Sequence, residues 1–539
     1  MNDDWKKNLI ALKGKLFGQG QKEQPKTDKR QASPSAIKVN TTGPGSTKAS
    51  TTAPPRVLTP VAKSGSGPAK SVPVNAARGP ETRITIGLDF GTETTKVCVR
   101  QELSGADVPV YPLEINAVDG AAPYLLPSII TLQPGTGKVY FGQAKDGDEY
   151  LRTKICVACE KDAETAGKCM SREACMFQRG GGAFKASELV TLYLAWMMKE
   201  TARLSARYFK GALRPTYNVS IPMKQLDTGE LLESYRLMVW RAWSVKDHVQ
   251  QGMDLLAGLQ RIRQISSSSI VPTAESPVQL CPETSAAIVS YVLAPNTREG
   301  LYAILDVGAW TSDLSFFRLT SINRGTTGSD TMAFFDADVH HVAGHAIDDR
   351  IFRGLCEMWG FDAAQFESRG TRIELLEDIR RYRERDAWSD KIAYKSAEGN
   401  IVNDQSIPQS VIQFGKEVIA CSIQRAFQKT FRSAFQKELD ESRWKKVALF
   451  MIGGASRQKE ISDALRKKFG HIISFEAIKI PNIKTIVSDD VDYRLAVAAG
   501  LSYPVGLWPE EIRPSSVKPW RPGGHMHTVE ADSSILYES

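Results

Sequence analysis

One short pattern occurs twice in this chain, more than two hundred residues apart, and it restricts the fold more than any other feature. In Ile84-Thr-Ile-Gly-Leu-Asp-Phe-Gly-Thr-Glu-Thr-Thr-Lys-Val-Cys-Val-Arg100, apolar residues alternate through Ile84, Ile86 and Leu88. Asp89, Gly91 and Thr92 then arrive together, and a second β-rich run begins at Lys96. The stretch from Leu301 to Arg318 repeats the order: apolar strand, Asp306, Gly308, Thr311, apolar strand. Alternation at period two is strand periodicity, so each stretch predicts a β-hairpin with an acidic, glycine-containing, hydroxyl-bearing turn. Such a turn is either an ordinary tight hairpin or a phosphate clamp. In a clamp, Gly admits close backbone approach, N–H groups and hydroxyls meet phosphate oxygens, and the strand-end Asp holds a hydrated Mg²⁺ through water. The recurrence favours the clamp.

Around the two hairpins the pattern alternates between strand and helix. Strands are expected over 125–132, 138–142 and 216–222, helices over 186–209 and 231–243, and a strand over 278–281 leads into a helix over 283–291. Downstream, helical periodicity over 346–359, 371–386 and 409–440 precedes the apolar run 447–452. A Gly453-Gly454 break, a helix over 459–469 and a last helix over 491–501 follow. This is an α/β chain, and at 539 residues it is too long for a single core.

The net charge of +8 misleads until it is placed. Residues 1–83 hold 15 Lys and Arg against 5 Asp and Glu, leaving 54 against 56 for the rest, so the basicity belongs to the tail. No specific nucleic-acid-binding body is expected. Residues 19–83 are rich in Gln, Lys, Ser, Thr, Pro, Gly and Ala without an aromatic, which predicts a disordered linker. Ahead of it, Trp5, Leu9, Leu12 and Leu16 recur at helical spacing among lysines. Residues 1–18 read as a short basic amphipathic helix, a docking peptide for a protein partner or a membrane surface, or as a frayed end with accidental periodicity. No run of eighteen apolar residues and no signal-peptide core is present, so a cytoplasmic protein is the expectation.

Taken in order, these motifs resemble the actin, hexokinase and DnaK-type chaperone superfamily, most closely the nucleotide-binding domain of the seventy-kilodalton heat-shock proteins. The resemblance covers about 84–505 and implies an actin-like duplicated ATPase fold, two lobes around a nucleotide cleft. Lobe I would span about 84–300 and lobe II about 301–490, with the helix over 491–501 returning to lobe I and 506–539 an irregular tail. Asp89, Gly91 and Thr92 look like the first phosphate loop; Lys96 falls where actins, unlike DnaK-type proteins, place a phosphate-contacting lysine. Leu151-Arg-Thr-Lys154 is similar to the segment of the chaperones' catalytic lysine, so Lys154 is either that group or a surface lysine. Pro282-Glu283-Thr-Ser-Ala-Ala resembles the connecting helix whose glutamate holds metal-bound water. Asp306, Gly308 and Thr311 resemble the second phosphate loop, with Asp89 and Asp306 on Mg²⁺ through water. Gly344 sits in a segment similar to Gly-Gly-Glu-Asp-Phe-Asp-Asn-Arg. Glu377, Arg380 and Arg381 match positions that sandwich adenine and bond ribose, and Gly453, Gly454 and Arg457 match the adenosine loop.

The chain departs from the family in two places that bear on catalysis. Ala309-Trp310 stands where chaperones carry two further glycines, and His345 replaces a glutamate. A Trp side chain there is expected to crowd the γ-phosphate or force another turn. The resemblance therefore implies Mg²⁺-ATP binding with slow hydrolysis, lobe closure altering affinity for a partner protein. It implies the chaperone motor without the client-binding domain. Alternatives are a non-hydrolysing nucleotide-gated scaffold, a filament-forming actin-like protein anchored by residues 1–18 and, ranked lower, a small-molecule kinase.

Cys156, Cys159, Cys169 and Cys175 fall within twenty residues in an insert over 155–182. Four thiols at that spacing read first as a Zn²⁺ knuckle, then as free thiols or a redox pair, and last as an iron–sulfur site. Cys98, Cys281, Cys356 and Cys421 lie in apolar patterns and read as core.

Overall fold

The computed structural model describes residues 81–103, 108–115, 123–133, 135–142, 148–150, 153–159, 184–223, 229–265, 276–294, 297–320, 330–359, 371–385, 391–395, 401–437, 447–484 and 492–517. The first half runs β1 (Glu81–Phe90), β2 (Thr94–Gln101), β3 (Val110–Pro112), β4 (Leu126–Pro127), β5 (Ile130–Gln133), β6 (Lys138–Phe141) and β7 (Asp148–Tyr150). Helices α1 (Thr153–Cys159) and α2 (Ala186–Ser205) precede β8 (Ala212–Ile221). Then come α3 (Gly229–Val245), β9 (Met253–Asp254), α4 (Leu255–Gln264), β10 (Val278–Pro282) and α5 (Glu283–Val292). The second half runs β11 (Gly300–Val307), β12 (Ser312–Thr320), β13 (Thr331–His340), α6 (Gly344–Trp359), α7 (Thr371–Arg385), β14 (Lys391–Lys395) and β15 (Ile401–Ser406). It ends α8 (Gln409–Lys437), β16 (Val447–Ile452), α9 (Lys459–Phe469), β17 (Ile473–Glu476), α10 (Asp492–Leu501) and β18 (Glu510–Ile512).

This mixed α/β chain builds two six-stranded sheets on one plan. The first has the order β10-β8-β1-β2-β3 with β4 beside β2; the second has β17-β16-β11-β12-β13-β18. In each, a three-stranded antiparallel meander lies on one side and two parallel strands on the other. The parallel strands require crossovers, and the helices between them cover the sheets, which is why β11 and β16 read as continuous apolar runs. A four-stranded sheet, β7-β5-β6-β9, and the hairpin β14-β15 are separate.

Strand alternation sets which side chains meet. On β11, Tyr302 and Ile304 join the core that also holds β1, α2 and α5, whereas Leu301, Ala303 and Leu305 join the core under α6, α8 and α9. Asp306, two residues past Ile304, therefore points to the side shared with the first sheet. Helix α10 lies between α5 and β1, and a β-carbon at Gly500 would stand 1.6 Å from the Ala286 carbonyl oxygen. That crossing is possible only with glycine.

Several expectations need correction. The linker does not extend to 83: β1 starts at Glu81, Thr82 Oγ1 donates to the Lys210 carbonyl at 2.9 Å, and Glu102 N–H donates to that of Arg83 at 3.0 Å. The stretch beyond 505 is not all irregular, because β18 pairs in parallel with the outer edge of β13. The strand expected over 125–132 breaks at Ser128, whose N–H donates to the Glu93 carbonyl at 2.8 Å instead of continuing a ladder. Strands β13, β14 and β15 were not anticipated. The amphipathic helix of residues 1–18, most of the linker, and Cys169 and Cys175 lie outside the described residues. Among the described residues no helix is long and apolar enough to cross a membrane.

Candidate functional site

The two Asp-x-Gly turns sit at equivalent ends of β1 and β11, and one cleft lies between them. Asp89, Gly91, Thr92, Lys96, Lys154, Glu283, Asp306, Gly308, Thr311, Gly453 and Gly454, each expected from sequence, line it. In the first hairpin Asp89 and Lys96 stand opposite in register, and Lys96 Nζ reaches Asp89 Oδ2 at 2.9 Å. Ser220 Oγ donates to the other Asp89 oxygen at 3.3 Å. Beneath the turn runs a hydroxyl chain: Tyr193 Oη donates to Thr95 Oγ1 at 2.8 Å, Thr95 pairs with Ser128 at 2.9 Å, and Ser128 Oγ donates to the Gly91 carbonyl at 2.8 Å. The chain fixes the turn's backbone from below.

Lys154 on α1 is not a surface lysine. Its Nζ pairs with Glu283, the first residue of α5, and both side chains are almost wholly buried. Burial disfavours the ammonium, yet Glu283, Asp89 and Tyr235 outweigh it and hold the Lys154 pKa above its ordinary value. The carboxylate opposite fares differently. Burial first, then the charges of Glu283 and Asp89, push Asp306 up to about 7 against the pull of Lys96 and Lys154.

Asp313 was missed, although the hairpin register places it directly across from Asp306. Burial, then Glu283 and Asp306, push its pKa well above the carboxylate range. Its Oδ2 accepts from Thr311 Oγ1 at 3.3 Å, and its Oδ1 is buried without a hydrogen-bond partner. Asp89, Glu283, Asp306 and Asp313 thus face Lys96 and Lys154 in one cleft, which Arg383 and Arg494 also line.

The second turn keeps its hairpin form despite Trp310: Gly308 N–H donates to the Thr311 carbonyl at 3.0 Å. Trp310 neither breaks the turn nor fills it. Its ring swings aside and stacks on His345, centroids 4.0 Å apart. The start of α6 is bonded to the same turn, Gly344 N–H to the Gly308 carbonyl at 3.1 Å and His345 N–H to that of Ala309 at 2.6 Å. Gly453 has a positive φ of 85°, and Ala455 N–H donates to the Val307 carbonyl at 3.0 Å, which seats the Gly-Gly loop against β11.

Helix α7 holds its charges otherwise than expected. Arg380 pairs with Glu93 of the first turn at 2.7 Å, Arg381 points outward to Asp378 at 3.3 Å, and Arg383, unforeseen, lines the cleft while bonding Asp348 with both arms. Arg380 and Arg383, three positions apart, share one face of the helix and turn inward, whereas Arg381, next to Arg380, lies about 100° round it. The Glu377 side chain lies outside the described residues. Arg457 is exposed and stands over the Tyr493 ring, 5.3 Å from its centroid; Tyr493 and Arg494, also unforeseen, line the cleft.

Of the cysteine cluster, Cys156 is buried in the first core, and the side chain of Cys159 lies outside the described residues. Among the described residues no three His, Cys, Asp or Glu side chains converge to hold a metal ion directly. Cys98, Cys281 and Cys356 are buried, as expected for core residues. A larger cavity of about 510 Å³, lined by Leu126, Phe141, Trp196, Arg203 and Arg207, lies away from the acidic cleft; volume and chemistry do not coincide here.

No family model matches the chain. Its curated relatives include the chaperone protein HscA homologs of Burkholderia thailandensis, 27% identical over 200 residues, and of Burkholderia ambifaria, 28% identical over 196. That of Burkholderia pseudomallei is 28% identical over 197 residues. Each match covers 36% of this chain and 29% of the relative, so the chain spans under a third of the length of the proteins it matches. The likeness, distant and partial, is to chaperones of the heat-shock ATPase superfamily.

Proposed function

We propose that this chain is a DnaK-like Mg²⁺-ATP-binding protein with an actin-like duplicated fold, slowly hydrolysing ATP and coupling lobe closure to its affinity for a partner protein. One observation carries the reading: Asp89 and Lys96, Lys154, Glu283, Asp306 and the Gly453-Gly454 loop come from five separate segments and line one cleft. The likeness to HscA-type chaperones supports it.

In this reading Thr92 and Thr311 present hydroxyls to phosphate oxygens, and Gly91 and Gly308 let the backbone of the two turns approach them closely. The paired strand-end carboxylates fit a divalent ion: Asp89 and Asp306 would hold Mg²⁺ through water, and the ion would supply neutralisation of phosphate charge. Asp306, pushed up to about 7, is poised to take a proton from an attacking water near neutral pH. Lys154 stays charged and, oriented by Glu283, stabilises the negative charge that develops on the transferred group. Glu283 opens α5, which packs on α10, so a change at the cleft is passed to the helix layer between the sheets.

Steady phosphate release from the pure protein, lost in Asp306→Asn, supports the ATPase. Tight MgATP binding without release selects the second reading, a non-hydrolysing nucleotide-gated scaffold. Ala309-Trp310, in place of two glycines in the second turn, favours that second reading. Failure to bind MgATP at millimolar concentration sinks both.

A further inference from the structure

The two turns are joined across the cleft by side chains. Glu93, in the turn between β1 and β2, accepts from Trp310 Nε1 at 3.1 Å through one carboxylate oxygen and from Arg380 Nη1 at 2.7 Å through the other. Trp310 belongs to the turn between β11 and β12, and its ring is clamped by His345 of α6 at 4.0 Å and 19°. Two elements of the second half, the turn and α7, thus converge on one carboxylate of the first, and α6 backs the indole. Glu93 is about four-fifths buried on its side chain, and Arg380 about seven-tenths. An indole has a single N–H and a carboxylate accepts most strongly from a charged donor, so this arrangement is directional.

The cleft that Glu93 lines holds about 110 Å³, well under the few hundred Å³ of a site that encloses a small molecule. A nucleoside triphosphate needs the two turns further apart, and Glu93 with Trp310 and Arg380 is a side-chain bridge that separation would break. Arg380 needs an anion in either state. A planar guanidinium binds phosphate oxygens with the same forked geometry that it offers a carboxylate.

We infer that Glu93, Trp310 and Arg380 form a latch across the cleft, and that a polyphosphate captures the open form and holds it open by replacing the Glu93 carboxylate as the anion paired with Arg380. The inference rests on the nucleotide reading of the cleft and adds its regulation. The latched form does not admit ligand, so the apparent rate of binding is scaled by the unlatched fraction. Adenosine, lacking phosphate, has nothing to exchange for Glu93 and does not open the latch.

The test uses the full chain, the Glu93→Gln and Trp310→Phe variants, and stopped-flow binding of fluorescently labelled MgATP, with labelled adenosine as the control. Glu93→Gln removes the anion; Trp310→Phe removes the indole donor and keeps a ring against His345. With an open state populated at about a tenth, each variant binds MgATP about tenfold faster than wild type. The double variant gains no more than the better single one, because both break one latch. Thermal melts confirm that each variant is folded, and two variants on opposite turns guard against a local folding fault in either. Wild type that binds about tenfold more slowly than the variants supports the latch. Binding at the same rate in all four proteins overturns the latch while sparing the nucleotide reading. Absence of binding in wild type and every variant removes the nucleotide reading, and the latch with it.

Discussion

Gly453 and Asp306 touch so closely that a β-carbon on residue 453 would lie 2.2 Å from Asp306 Oδ1 and 2.5 Å from the Val307 carbonyl oxygen. With φ at 85° as well, position 453 admits glycine alone. Gly454, its neighbour, faces open space. Gly453→Ala should therefore lower stability by about 2 kcal/mol and displace the carboxylate, whereas Gly454→Ala should stay within about 0.5 kcal/mol of wild type. Urea titration of the two variants checks the contrast, and equal losses would contradict the close approach.

The buried pair Lys154–Glu283 gives a second expectation. Lys154→Met leaves the Glu283 carboxylate uncompensated, which should cost about 3 kcal/mol and slow phosphate release about a hundredfold. Lys154→Met with Glu283→Gln removes both charges and should recover most of the stability but none of the activity. A double variant no more stable than Lys154→Met alone argues that the pair is not coupled.

The pH dependence follows from three raised carboxylates. Asp306, through burial and then Glu283 and Asp89, and Glu511, through burial, are both pushed up to about 7, and Asp313, through burial and then Glu283 and Asp306, is pushed well above its ordinary value. Between their ordinary and raised values the folded chain binds more protons than the unfolded one, so stability falls as pH rises through this window. Asp306→Asn removes one of the three contributions. At pH 8 the variant should melt about 3 °C above wild type, although it releases no phosphate. Melting curves across pH 5–8.5 decide, and a parallel slope in the variant would count against Asp306.

Strand β18 covers an edge. Glu510 N–H donates to the Asp330 carbonyl at 2.8 Å, and Thr331, Met332 and Ala333 pair with residues 510–512. Ending the chain after Trp508 exposes the β13 edge, which should reduce stability by about 2 kcal/mol and promote association of copies edge to edge. Light scattering on warming reads the second effect; a truncated chain that stays monomeric and equally stable would show the strand to be dispensable.

The site was legible where its residues announce themselves by local pattern. Asp89 and Asp306 end apolar strands, Gly453 and Gly454 interrupt a strand-to-helix run, and Glu283 begins a helix, all of which follow from periodicity and the special freedom of glycine. Asp313 carried the same kind of signal and could have been found, since a hairpin turn of known length dictates which residue stands opposite Asp306. Which of Arg380, Arg381 and Arg383 turns inward depends on how α7 is rotated against its neighbours, which helical spacing alone does not tell.

What the amino-acid sequence determined by itself was the two hairpins with their acidic turns and most of the helices, because strand alternation, helix spacing and glycine breaks act over a few residues. Tertiary structure alone decided that Lys154 is buried on Glu283, that Trp310 turns to His345 and Glu93, and that residues 510–512 complete the second sheet. Each of these joins residues far apart in the chain. A lone lysine, tryptophan or short β-run carries no mark of a distant partner, and its environment exists only once the sheets and helices have packed.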